Sequence, residues 1–103
     1  TVRVLPAVID TVQMSEKMRP LFVSSVQHDL QRISAALEQR DCRRLAETLH
    51  SVAGALGAVQ ALDLAQACVE LESQLASGRL NPALEMRINQ VSSRLSALLS
   101  VQP

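Results

Sequence analysis

The run LAETLHSVAGALGAVQALDLAQACVELE, Leu45 to Glu72, decides how this chain folds. Leu45, Leu49, Val52 and Leu56 recur at three- and four-residue steps, the spacing that gathers side chains on one side of a helix. A second stripe follows, Leu64, Cys68, Leu71 and Leu75. On the first helix stand one histidine, His50, and the small residues Ala53, Gly54 and Gly57. Each glycine costs about 1 kcal/mol relative to alanine in a helix interior. A helix that only fills a core has little use for two of them.

The same period extends outward in both directions. Upstream, Met18, Phe22, Val26, Leu30, Ile33 and Leu37 form one stripe of a long helix, expected over about 15–39 with Ser15 as its N-cap. Asp41 punctuates and caps the His50 helix, about 42–57. The third helix, about 60–77, ends at Gly78, a C′ residue. Asn81-Pro82 starts the fourth, about 82–99, with Asn as N-cap and Pro at the first helical position. Its stripe is Leu84, Ile88, Val91, Leu95 and Leu98. Residues 6–13 are expected to form a short extra helix over one end of the core. Each helix alone is marginal in water. Four stripes joined by short connections therefore imply an all-α fold, an antiparallel up-and-down four-helix bundle, as a single domain over 1–103.

Composition narrows the function. The net charge is zero and Phe22 is the one aromatic residue, so the chain lacks both the electrostatic footprint and the stacking platforms of a nucleic-acid binder. Its apolar runs are too short for a transmembrane span, and TVRVLPAVID is too interrupted for a signal peptide. Cys42 and Cys68 have no metal-ligand spacing and read as reduced thiols of a cytosolic domain. The start without Met suits a piece of a longer protein.

At about 100° per residue, His50 lies roughly 130° from the centre of its helix's core stripe and faces water. Its neighbours on the helix surface are Arg43, Ala46, Glu47, Ala53, Gly54 and Gly57, and most of these are small. The imidazole thus stands clear, with a low wall around it that lets another protein's surface come close. Three readings of His50 compete: a solvated surface histidine, a metal ligand, and a phosphorylatable nucleophile. The second lacks His, Cys, Asp or Glu three or four residues on. The third needs an exposed, oriented imidazole, neutral and nucleophilic near pH 7.

The segment His50-Ser51-Val52-Ala53-Gly54, then Val59-Gln60-Ala61, then Leu64, Cys68, Leu71 and Glu72, resembles the histidine-containing phosphotransfer (HPt) domains of bacterial phosphorelays. Their pattern is roughly His-x-x-Lys-Gly, a Leu-Gly-Ala-like turn, then Leu-x-x-x-Cys-x-x-Leu-Glu. The upstream stretch LFVSSVQHDLQRISAALEQRDCRRLAETLH looks like the family's long helix and acidic turn, so nearly the whole chain is covered. The resemblance implies a bundle whose exposed histidine shuttles phosphoryl groups between receiver-domain aspartates. His50 is then the acceptor, and Gly54 leaves room beside it. The receiver supplies the aspartate and Mg²⁺, and the domain binds no cofactor of its own. The partners implied are the receiver domains of a hybrid histidine kinase and of a response regulator. The setting is cytoplasmic, including the cytoplasmic end of a membrane-bound sensor kinase. The domain would be a monomeric carrier, with no Gly-rich phosphate loop for ATP.

Two positions depart from the pattern. Ala53 stands where the family usually has Lys, and Gln60 where it has Gly. The alternative function is therefore a degenerate bundle that docks receivers without carrying phosphate. Arg43, or a basic residue on the facing helix, is expected to substitute in part for the lysine. Gln60 is expected to affect backbone geometry at the turn. A plain helical adaptor or dimerisation bundle is a third reading, in which the small residues around His50 are coincidental. The docking face is expected to draw on the first two helices. Elsewhere, His28 reads as solvated surface, the three Met residues as core fillers, and Arg43 and Arg44 as solvated charge or partner contacts. Glu47 and Glu72 have no acidic partner at a motif spacing, so no general acid/base pair is expected.

Overall fold

The computed structural model describes residues 12–101. Four helices follow in order: α1 Met18–Glu38, α2 Cys42–Ala58, α3 Leu62–Leu75 and α4 Pro82–Val101. No strand occurs among the described residues. Most of the expected 6–13 helix lies outside them, and Val12 to Ser15 are not helical.

Each helix is set by local chemistry. Ser15 lies upstream of α1 itself, yet its Oγ and its carbonyl both accept from the Met18 amide, at 3.3 and 3.1 Å. Asp41 Oδ1 accepts from the Arg44 amide at 3.1 Å, and Asn81 Oδ1 from the Leu84 amide at 2.8 Å. Both satisfy donors that a helix start leaves without partners. The helix ends need a left-handed residue. After α1, Arg40 takes φ +52°, with the Asp41 amide donating to the Ala36 carbonyl. After α2, Gln60 takes φ +65°, with the Ala61 amide donating to the Leu56 carbonyl. These are Schellman closures with long side chains where glycine is cheapest. Gly78, at φ +77°, comes one position later than a C′ residue, because the α3 cap is Ala76.

The stripes of α2, α3 and α4 are buried at every expected position. α1 is rotated slightly from expectation. Phe22, Val26 and Ile33 are buried, Leu30 and Leu37 only partly, and Ala36 and Asp29 join the buried set. Two of the three methionines are not core fillers: Met18 is 43% and Met86 62% exposed, and Met14 is half-buried. α2 packs against both α1 and α3, while α4 closes the ring against α1 and α3. Arg40 ties the end of α1 to the start of α4, donating from Nη2 to the Leu80 carbonyl at 2.9 Å and pairing with Glu85 at 3.4 Å.

Candidate functional site

His50 sits in the middle of α2, held by Leu49 and Val52, both fully buried beneath it. Its own side chain is 77% exposed. It is not alone, however. Nδ1 lies 3.1 Å from Oε1 and 3.3 Å from Oε2 of Glu72, on α3. A carboxylate can only accept hydrogen bonds. In the neutral ring the proton therefore sits on Nδ1, and the lone pair is left on the exposed Nε2. A pair this accessible adds little to stability. Its consequence is orientation, a fixed tautomer and a fixed ring direction.

In the sequence Glu72 stands out as part of the family pattern, but nothing in its local spacing pairs it with His50. A usable signal was present. His50 and Glu72 stand eleven positions either side of Ala61, so a helical hairpin closing there brings them level.

His50 and Glu72 line a groove of about 550 Å³ between α2 and α3, together with Arg43, Ala46, Glu47 and Leu75. An adjoining hollow at the same imidazole adds Val69 and Ser73 to this wall. The walls beside the histidine thus come from α2 and α3 rather than from the first two helices. A slightly larger groove, between α3 and α4, holds Glu70, Arg87, Ser93 and Arg94 but no histidine or cysteine.

The remaining expected residues divide. Arg43, Ala46 and Glu47 share the groove. Ala53 is half-buried and packs against the core. At Gly54 and Gly57 an added Cβ would meet nothing within 4 Å, so nothing inside the chain requires glycine there. The space beside His50 at Gly54 is open to an approaching surface.

The electrostatics run acidic. Helix α3, which faces His50, carries no Lys or Arg, so the facing-helix cation anticipated from the sequence is absent. Arg43 pairs weakly with Glu47, Nε to Oε2 at 3.9 Å, with side chains 89% and 59% exposed. Arg44 turns back to Asp41 at 3.5 Å. Beside the histidine, Ser51 donates to the buried Asp29 Oδ2 at 3.4 Å, which fastens α1 to α2, and within α1 Arg32 reaches Asp29 Oδ1 at 3.4 Å. His28 is exposed. Both cysteines are free, and burial pushes the Cys68 thiol up to about 11, against a smaller opposing pull from Arg94. No cluster of three or more metal-ligating side chains occurs among the described residues, and no described helix is long and apolar enough to cross a membrane.

Comparison with protein families gives a match to the Hpt domain over residues 17–100. No curated protein and no solved structure matches the chain.

Proposed function

The chain belongs to the Hpt domain family, helical domains of phosphotransfer in two-component signalling, and from that premise we propose that His50 is a phosphorelay acceptor and donor. It takes a phosphoryl group from a receiver-domain aspartate and passes it to another receiver. The observation that carries this reading is the His50–Glu72 pair: an exposed imidazole whose Nδ1 proton is held and whose Nε2 is left free.

The step balances without a separate base. The Nε2 lone pair attacks phosphorus as the P–O bond to the receiver carboxylate breaks, and that electron pair leaves with the carboxylate. The ring becomes an imidazolium carrying phosphate on Nε2, with its proton still on Nδ1 beside Glu72. The carboxylate favours the positive ring, and the reverse transfer regenerates the neutral one. Catalysis here is mainly positioning and charge. The receiver brings the aspartate and Mg²⁺. The rest of the bundle holds a nucleophile still on a helix packed from both sides.

Helices run antiparallel and up-and-down in this reading, supported by cross-contacts at matching depths: Asp29 with Ser51, His50 with Glu72, and Arg40 with the start of α4. The domain works as a cytoplasmic monomer, alone or at the end of a hybrid sensor kinase. The second reading, a docking bundle that carries no phosphate, draws on Ala53 in place of lysine and on the acidic groove.

The test is phosphotransfer from phosphorylated receivers of the source organism, wild type beside His50→Gln. The relay reading expects acid-labile, base-stable label on wild type and none on the variant. Receivers that bind wild type without labelling it would establish the docking reading.

A further inference from the structure

We propose that Arg43 is the cation that meets the phosphoryl group on His50, giving up Glu47 to do so. The inference rests on the relay reading and adds a residue to it.

A phosphoryl group on Nε2 would bring up to two negative charges into a groove that already holds Glu72 and Glu47. Among the described residues, Arg43 is the cation that lines this groove. Seven residues separate it from His50, about 10.5 Å along the axis and about 20° around it, so both project from the same face. Helical side chains lean toward the N-terminus, which tips His50 and its phosphoryl group toward Arg43. The Arg43 side chain already sits on this face, 3.9 Å from Glu47, which stands between it and His50 along the helix.

That contact is easily exchanged. At 3.9 Å, between side chains 89% and 59% exposed, the Arg43–Glu47 pair is weak. A phosphoryl dianion offers the guanidinium three oxygens and more charge than one carboxylate. Arg43 is thus a phosphoryl-binding residue held in waiting, and Glu47 is its competitor.

The experiment labels His50 with phosphoramidate, a small donor that needs no receiver, and follows the phosphoryl group's own titration by ³¹P NMR. A nearby guanidinium favours the dianion. Arg43→Ala is expected to raise the proton affinity of the phosphoryl group about threefold, and Glu47→Gln to lower it, because Arg43 is released. The Glu47→Gln effect should shrink once Arg43 is already alanine. Ala53→Lys in the Arg43→Ala background is expected to restore the wild-type titration, since a side chain three residues on leans back over His50. A titration unchanged by Arg43→Ala overturns the proposal, as does a Glu47→Gln effect that is equal with and without Arg43. The relay reading fails separately, if receivers do not label His50. A His50 that neither phosphoramidate nor phosphorylated receivers modify in the folded protein overturns both.

Discussion

The imidazole of His50 gains its character from one neighbour that the linear sequence places 22 residues away. Removing that neighbour is the sharpest residue-scale perturbation. Glu72→Ala is expected to leave the fold intact and release the Nδ1 proton, so that both neutral tautomers appear in ¹⁵N spectra. Phosphotransfer should slow about two- to fivefold, the worth of an ion pair at an exposed site. Glu72→Gln should keep the tautomer, because its amide oxygen still accepts, while losing the charge that favours the phosphorylated ring. Gly54 makes the complementary case. Gly54→Ala should stabilise the helix by about 0.5–1 kcal/mol, seen in urea melts, yet slow transfer, since the new methyl leans toward His50. Stability rising while transfer falls is the signature of space kept for a partner; no loss of transfer would mean that the glycine serves no docking role. The exposure of His50 and the open space at Gly54 were legible from spacing. Glu72 was not, because its role exists only once α2 and α3 lie side by side.

At the scale of the elements, helix existence and core stripes were written in the three- and four-residue period, and the caps in Asp41, Asn81 and Pro82. Ends were less legible. Fraying and left-handed closures depend on hydrogen bonds that no single residue announces, and here Arg40 and Gln60 occupy positions where glycine would have been the signal. Gln60 at φ +65° bears a cost that glycine would avoid. Gln60→Gly is therefore expected to stabilise the domain by about 1 kcal/mol, raising Tm by about 4–8 °C. A drop in stability would show that the Gln60 side chain makes a compensating contact. Arg40→Gly should gain less, since Arg40 also holds Leu80 and Glu85. The slight rotation of α1 has a similar origin. Periodicity counts apolar residues of size, and it could not foresee that Asp29 would be buried against Ser51, or that the small Ala36 would join the core.

For the molecule as a whole, the closed ring of helices buries Cys68 with its proton on. The thiol's folded value, about 11, lies above its ordinary 9.0. The folded state therefore holds that proton more tightly, and stability must fall as pH rises from about 9 to about 11 and then level off. The loss is on the order of 2–3 kcal/mol at 1.36 kcal/mol per unit. Urea melts at pH 8 and 10.5 should show the decline in wild type and less of it in Cys68→Ala; equal slopes would mean that the thiol ionises without cost. The same packing holds α2 between α1 and α3 and keeps His50 fixed relative to Glu72. The central claim is therefore about one atom. Phosphorylate the domain through a receiver and read the ring by ¹H–¹⁵N long-range NMR correlation. The account predicts phosphorus on Nε2 of His50, with the proton on Nδ1. Phosphorus on Nδ1, or on any residue other than His50, would contradict it.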